Sequence, residues 1–138
     1  MTGRLKQEIR NLHLEKSVLL LGHRPDVESL LATADIFIFP SRFEGLPGAL
    51  IEAEAAGLPI VCTDIPNNRE VAEEGANALF FPVDDADAMA ANLNRLLGDE
   101  VLKKRMGESS MTQYGQKFQL EVVHHAMKKL LEELTGTI

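Results

Sequence analysis

Residues 35–63 read DIFIFPSRFEGLPGALIEAEAAGLPIVCT, in which two short apolar runs flank a glycine-rich loop and a segment with helical character. The runs at residues 35–40 and 59–63 are continuously apolar rather than alternating, which is typical of strands buried on both faces of a sheet. The loop ends at Pro47 and Gly48, and a helix is predicted from residue 48 to residue 56. Strand, helix and strand in this order predict a parallel β-α-β unit.

The same alternation extends to both sides of this unit. Further strands are predicted from the apolar runs at residues 17–22 and 78–82, which read SVLLLG and ALFFP. Helices are predicted at residues 4–11, 26–34, 69–74, 86–97, 101–111 and 120–134, and Gly98, Gly107 and Gly115 punctuate the last three. The predicted fold is α/β: a Rossmann-like parallel sheet of about four strands with flanking helices and a helical C-terminus. Residues 1–138 are expected to form a single domain.

Composition narrows the classes of function. The 138 residues are 45% hydrophobic and 25% charged, which suits one globular domain. With 14 Lys and Arg against 21 Asp and Glu, the net charge of −7 repels phosphate backbones and anionic lipid, so neither nucleic acid nor a membrane surface is expected as a partner. Cys62 is the only cysteine, which excludes an internal disulfide. Since no segment approaches the ~20 apolar residues of a transmembrane helix, a cytoplasmic location is expected.

The loop between the two central strands has the features of an anion-binding site. It follows a predicted strand and leads into a helix, so it lies at the carboxyl end of the sheet, where open α/β folds bind ligands. Gly45 and Gly48 flank Pro47, and small residues let backbone N–H groups approach a ligand closely. The unpaired N–H groups and partial positive charge of a helix N-terminus favour phosphate.

Two carboxylates accompany this loop, Glu44 before the helix and Glu52 inside it. Carboxylates repel phosphate and accept hydrogen bonds from hydroxyl groups, and one carboxylate can bind both hydroxyls of a vicinal diol. Amides for phosphate beside carboxylates for hydroxyls indicate a nucleotide sugar. The alternative is structural: the loop is a turn, and both glutamates are solvated charges favoured by the helix dipole.

Residues 40–64, PSRFEGLPGALIEAEAAGLPIVCTD, resemble the E-x7-E signature of retaining glycosyltransferases of the family-4 type, which have the GT-B fold. Glu44 and Glu52 match its two glutamates. The resemblance continues at residues 18–22, 34–38, 69–71, 75 and 81–82, and so covers nearly the whole chain. It implies a donor-binding domain that binds a UDP- or GDP-sugar and transfers the glycosyl group with retention, with no metal or other cofactor.

The resemblance also implies roles for individual residues. Glu52 would bind the ribose hydroxyls, and Glu44 would lie beside the transferred sugar as the catalytic residue. The diphosphate would meet the backbone of the intervening residues, with Leu46 as the main contact: Gly45, Leu46, Pro47, Gly48 and Ala49. The nucleotide base would lie against three residues that follow the first predicted strand: Gly22, His23 and Arg24. The alternative is that His23 and Arg24 are simply solvated before a proline turn.

The resemblance covers only part of the fold of the family. GT-B enzymes have two Rossmann-like domains, and the resemblance covers only the later part of the C-terminal one. The acceptor-binding domain, the first two strands of the donor domain and the basic residues that usually neutralise the diphosphate have no counterpart here. In a 3-2-1-4-5-6 strand order, the loss of strands 1 and 2 leaves a gap between the strand at residues 17–22 and the strand at residues 35–40. We expect these two strands to pair directly, or the sheet to be completed by another chain, as in a homo-oligomer.

Three functions follow for comparison. The first is the donor-binding half of a glycosyltransferase, inactive when isolated from its acceptor-binding domain. The second is a non-catalytic nucleotide-sugar-binding or assembly module that needs a partner chain. The third treats Glu44 and Glu52 as the acid and base of a glycosidase, which leaves the amide-lined helix start without a task.

Other polar residues favour structural roles. Asp84, Asp85 and Asp87 resemble a metal-binding cluster in composition, but they precede a helix, where aspartates cap the helix and favour its dipole. Asn67 and Asn68 predict a turn with a helix cap.

Overall fold

The computed structural model describes residues 2–135. In chain order its elements are α1 (Thr2–Asn11), α2 (Val27–Leu31), β1 (Phe37–Phe39), α3 (Gly48–Ala55), β2 (Ile60–Thr63), α4 (Pro66–Val71), β3 (Ala78–Phe81), α5 (Ala86–Leu97), α6 (Glu100–Lys117) and α7 (Leu120–Thr135). From β1 onward, strands and helices follow the predicted order.

The strands form one parallel sheet in the order β1-β2-β3. Phe37 pairs with Ile60, which pairs with Ala78, and this register continues along the strands. All of β2, the central strand, is buried, as continuous apolar character predicts for a strand covered on both faces. The α/β class with a parallel sheet is therefore confirmed.

The strand predicted at residues 17–22 is wrong for this chain. Val18, Leu19, Leu20 and Leu21 form no strand and are exposed, Leu19 by 75%. They do not pair with β1, so the sheet within residues 2–135 has three strands instead of the four expected. A strand is stabilised by the hydrogen-bond ladder that it shares with a neighbour, and this segment has no neighbouring strand in the part of the chain that the structure describes. Completion of the sheet by another chain stays a prediction.

Helix α4 begins earlier than predicted. Asn67 and Asn68 lie inside it rather than in a turn that caps it, and Ile65 is the residue before its first turn. Pro66 occupies that first turn, where its fixed φ favours the helix and its missing N–H leaves no hydrogen bond unmade. Neither asparagine side chain caps the helix, and both donate hydrogen bonds to residues outside it.

Helix α6 is continuous through Gly107 and Gly115, whereas the sequence predicts a helix that ends at residue 111. Gly98 does end α5, but Gly107 and Gly115 lie inside α6. Gly107 is buried against the turn after α3, where a Cβ on residue 107 would overlap the carbonyl oxygen of Gly57. Gly57 has a φ of +70°, the left-handed conformation that glycine favours after a helix. Gly57 and Gly107 together let α6 approach the chain that links α3 to β2.

Apolar cores lie on both faces of the sheet. Ile60 and Cys62 of β2 belong to a cluster that includes Leu50 of α3. Val61, between them, belongs to a second cluster with Leu96 of α5. Because successive side chains of a strand point to opposite faces, helices cover both sides of the sheet.

Helix α7 leaves apolar side chains uncovered. Leu120 and Leu134 are 79% and 75% exposed. Among residues 2–135, no helix has both the length and the apolar character that crossing a bilayer requires.

Candidate functional site

The loops after the three strands meet at the carboxyl edge of the sheet. The strands are parallel, so their carboxyl ends lie side by side. Open α/β folds bind ligands at this edge. The loop after β1, residues 40–47, carries Glu44 and leads into α3, and we call it the glutamate loop.

Glu44 is held within the glutamate loop by Ser41. The Ser41 Oγ lies 2.5 Å from Glu44 Oε1 and 3.0 Å from the carbonyl oxygen of Phe43. The Ser41 carbonyl oxygen in turn accepts a hydrogen bond of 2.5 Å from Thr63 Oγ1 at the end of β2. Glu44 is half-buried, and its Oε2 has no hydrogen-bond partner within residues 2–135. One carboxylate oxygen is thus positioned and the other is available to a ligand.

Two long-range contacts attach the glutamate loop to the neighbouring loops. Asn67 Nδ2 donates to the carbonyl oxygen of Gly45 at 2.6 Å. Arg42 pairs with Asp84, which follows β3, with 2.7 Å between Arg42 Nη2 and Asp84 Oδ1. Both side chains of the ion pair are exposed, so its contribution to stability is small. The loop is therefore connected to the carboxyl ends of both β2 and β3.

The start of α3 presents backbone N–H groups without acceptors. Pro47, which precedes the helix, is buried. The Gly48 N–H donates to the Leu46 carbonyl oxygen at 2.9 Å, whereas the N–H groups of Gly45, Leu46 and Ala49 have no acceptor in the part of the chain that the structure describes. Free N–H groups at a helix N-terminus attract anions. This geometry can hold an anion, and the roles of these residues stay predictions.

Glu52 lies one turn into α3 on the wall of a cavity of about 440 Å³. Leu31 of α2 and Ile51 of α3 contribute apolar surface to the cavity. Glu28 and Tyr114 also line it. Glu52 itself is exposed. A carboxylate beside a mainly apolar cavity can bind the hydroxyl groups of a ligand whose flat or apolar part enters the cavity.

The residues predicted to contact a nucleotide base lie outside the lining of the cavity beside Glu52. Gly22, His23 and Arg24 are exposed, and none of the three lines the described cavity beside Glu52. Arg24 pairs with Asp26, with 2.6 Å between Nη2 and Oδ2, and this hydrogen bond lowers the pKa of Asp26. Their contact with a nucleotide base stays a prediction.

Arg69, in α4, is engaged by its own neighbours. Its Nε and Nη2 donate to the two carboxylate oxygens of Asp64 at 2.5 and 2.8 Å. Its guanidinium carbon lies 4.6 Å from the centre of the Phe80 ring. The hydrogen bond between the two side chains raises the pKa of Arg69 and lowers the pKa of Asp64. The positive charge of Arg69 is therefore already balanced.

Glu54 is a buried acid of α3 that the sequence reasoning misses. Its Oε1 accepts a hydrogen bond of 2.7 Å from Asn77 Nδ2, and its Oε2 has no partner within residues 2–135. Gln113 Nε2 of α6 lies 3.3 Å from Asn77 Oδ1. Burial raises the pKa of Glu54 to about 7, against the opposing effects of the Asn77 hydrogen bond and the charge of Lys117. Residue 54 follows the apolar Leu50 by four positions, which is the signal that places it on the buried face.

The aspartates after β3 have structural contacts. Asp85 is the N-cap of α5, and its carboxylate accepts a hydrogen bond of 2.9 Å from the Ala88 N–H, which confirms the predicted cap. Asp84 pairs with Arg42, and Asp87 lies in the first turn of α5. Within residues 2–135, no three His, Cys, Asp or Glu side chains are grouped so that they could hold a metal ion.

A family model described as glycosyl transferases group 1 matches residues 1–113. The chain is 34% identical over 92 residues to the UDP-Gal:alpha-D-GlcNAc-diphosphoundecaprenol alpha-1,3-galactosyltransferase of Escherichia coli, covering 67% of this chain and 24% of that protein. It is 33% identical over 117 residues to the N-acetyl-alpha-D-glucosaminyl L-malate synthase of Bacillus anthracis, covering 85% of this chain and 31% of that protein. The chain thus spans about a quarter to a third of the length of these curated relatives.

Solved structures share the fold. The crystal structure of the Anabaena protein HepE in complex with UDP matches with a TM-score of 0.91 at 23% identity, covering 96% of this chain and 36% of that chain. The structural neighbours are GT-B glycosyltransferases, so the parallel sheet and its helices correspond to part of that fold.

Proposed function

We propose that this chain, which belongs to the glycosyl transferases group 1 family, is the donor-binding part of a retaining glycosyltransferase. It would bind a nucleotide-diphosphate sugar and present the hexosyl group for transfer to an acceptor. One observation carries the proposal: a single loop and the helix that follows it combine three N–H groups without acceptors in the described chain with two glutamates that can accept hydrogen bonds.

The diphosphate would lie at the start of α3. There the N–H groups of Gly45, Leu46 and Ala49 can donate to phosphate oxygens, and the helix dipole favours negative charge. Negative charge grows on the diphosphate as the bond to the sugar breaks. Fixed N–H dipoles therefore bind the transition state more tightly than the ground state, which accelerates the reaction.

Glu52 would bind the ribose hydroxyls, and the adjoining cavity would take part of the nucleoside. The Escherichia coli relative is named for UDP-Gal, and the HepE structure contains UDP. A uridine or guanosine diphosphate sugar is the donor that we propose, with UDP as the first compound to test.

Glu44 would contact the transferred sugar and is the catalytic residue of the proposal. Ser41 holds its Oε1, which leaves Oε2 to accept a hydrogen bond from a sugar hydroxyl. The proposed reaction uses the nucleotide sugar as substrate and calls for no metal ion or other cofactor.

The acceptor would bind to a domain outside these 138 residues, because the curated relatives are much longer than this chain. The isolated chain would then bind the donor and transfer little of its sugar. We propose a cytoplasmic location, since the chain contains one cysteine and needs no disulfide.

The open edge of the sheet favours one alternative, a binding or assembly module completed by a partner chain. Within the described residues β1 pairs only with β2, and Leu19 and its neighbours are exposed. Sedimentation measures this directly: a homo-oligomer without transferase activity supports the module, and a monomer contradicts completion by a second copy.

Titration of UDP and GDP by calorimetry, with Glu52→Gln, tests the proposal. The neutral side chain accepts weaker hydrogen bonds than the carboxylate, so the affinity should fall about tenfold. Glu121→Gln, in exposed α7, is the matched control and should bind like the unmodified chain. Equal affinity of the Glu52 variant, or no binding of either nucleotide by the unmodified chain, would contradict the proposal.

A further inference from the structure

The side chain of Asn67 reaches from α4 to the glutamate loop. Its Nδ2 donates to the carbonyl oxygen of Gly45 at 2.6 Å, although 22 residues separate the two in sequence. We propose that Asn67 is a positioning residue, which turns the peptide between Gly45 and Leu46 so that the Leu46 N–H points at the diphosphate of the donor. This inference rests on the proposed function and adds a residue to its site.

Peptide geometry supplies the first step. A trans peptide is planar, and its C=O and N–H groups point in opposite directions. The described chain contains no cis peptide. Since Asn67 draws the Gly45 carbonyl toward α4, the Leu46 N–H of the same peptide must point away from α4. That N–H has no acceptor within residues 2–135, so it is free to bind a ligand.

The Gly45–Leu46 peptide needs an external support. Gly45 has open space around it and no Cβ, so its backbone dihedrals are weakly restricted. No other group within residues 2–135 donates to the Gly45 carbonyl oxygen. Without the Asn67 amide, the peptide could rotate and the Leu46 N–H would lose its fixed direction.

The support is itself anchored. Asn68, the next residue of α4, is fully buried, and its Nδ2 donates to the Thr63 carbonyl oxygen at 2.9 Å. This contact fixes the start of α4 to the end of β2. Asn67 therefore acts from a rigid element, which a positioning residue requires because a fixed donor orients its partner without being ordered at the time of binding.

Nuclear magnetic resonance of the 15N-labelled chain during titration with UDP tests this assignment. In the unmodified chain the Leu46 and Ala49 amide signals should both shift as UDP binds. In Asn67→Ala, the affinity should fall about tenfold and the Leu46 shift should be lost, while the Ala49 amide, in α3, still responds. Asn67→Ser, whose hydroxyl is too short to keep the contact, should behave alike and provides a second variant if alanine impairs folding.

Asn92→Ala is the matched control. Asn92 Nδ2 also donates to a backbone carbonyl, that of Phe80 at 3.0 Å, and so its removal deletes the same kind of bond elsewhere. This control should lower the melting temperature about as much as Asn67→Ala does and leave UDP binding unchanged. A Leu46 shift and a UDP affinity that survive in both Asn67 variants would overturn the positioning role and leave the proposed function standing. Absence of UDP and GDP binding in the unmodified chain would overturn the proposed function, and this inference with it.

Discussion

Replacement of Gly107 by alanine should destabilise the fold by about 3 kcal/mol, because residue 107 lies where α6 meets the turn after α3. The added Cβ would overlap the carbonyl oxygen of Gly57 and would also lie 3.7 Å from Pro59 Cδ. A backbone oxygen cannot move aside as the end of a side chain can. The helix must therefore shift away from the turn.

The magnitude follows from three effects. Alanine in place of glycine inside a helix contributes about 1 kcal/mol of stability. Overpacking against backbone opposes this by about 3 kcal/mol, the upper end of the usual range. A shift of α6 also weakens the hydrogen bond of 2.6 Å from Ser110 Oγ to the Leu58 carbonyl oxygen, which removes about 1 kcal/mol. The net loss of about 3 kcal/mol corresponds to a fall of about 10 °C in Tm for a chain of this size.

Urea unfolding followed by circular dichroism measures the loss, with Gly115→Ala as the control in the same helix. A Cβ at residue 115 would meet only the end of the Gln119 side chain, at 4.0 Å. The control should therefore gain up to about 1 kcal/mol from helix propensity. If Gly107→Ala were as stable as Gly115→Ala, the close approach of α6 to Gly57 would be refuted.

Two further substitutions probe the buried acid and the cap of α5. Glu54→Gln should stabilise the chain at pH 8 and change little near pH 5. Because the pKa of Glu54 in the folded chain, about 7, exceeds its ordinary value of 4.5, the protonated acid favours the folded state. Its contribution to stability is complete below pH 4.5 and is lost as the pH rises through 7, which lowers the free energy of unfolding by about 3 kcal/mol. Urea unfolding at both pH values measures this, and a gain independent of pH would contradict it. Asp85→Ala should lose about 1 kcal/mol with the bond to the Ala88 N–H, whereas Asp87→Ala should lose less. Thermal unfolding compares the two, and equal losses would argue against the cap.

The parallel sheet could be predicted because its strands are short, apolar throughout and separated by helices. The segment at residues 17–22 has the same local character as β2, yet only β2 forms a strand. The difference lies in neighbours: β2 pairs on both sides, and residues 17–22 have no strand beside them within residues 2–135. Hydrophobic pattern reports what a segment can form, whereas strand formation depends on partners that are distant in sequence. The same limit explains Gly107, whose role depends on Gly57 and not on its own helix.

The roles of the two glutamates stay predictions, but the positions of Glu44 in a loop and of Glu52 in the helix that follows could be predicted from the sequence. Their supports could not. Asn67 and Gly45 are 22 residues apart, and Arg42 and Asp84 are 42 residues apart. These pairs meet only because three parallel strands end at one edge. A local pattern contains the groups that would meet a ligand in the proposed site, and the register of the sheet determines which side chains hold those groups in place.

Charge makes this support important. The chain has a net charge of −7, and the arginines near the carboxyl edge are already paired, Arg42 with Asp84 and Arg69 with Asp64. An exposed ion pair can be broken for little free energy, but an arginine that leaves its aspartate uncovers a negative charge close to the incoming phosphate. Neutral N–H dipoles leave no such charge behind. Their attraction falls steeply with distance and direction, so a diphosphate bound here would depend on the orientation of a few peptides more than on the number of cations.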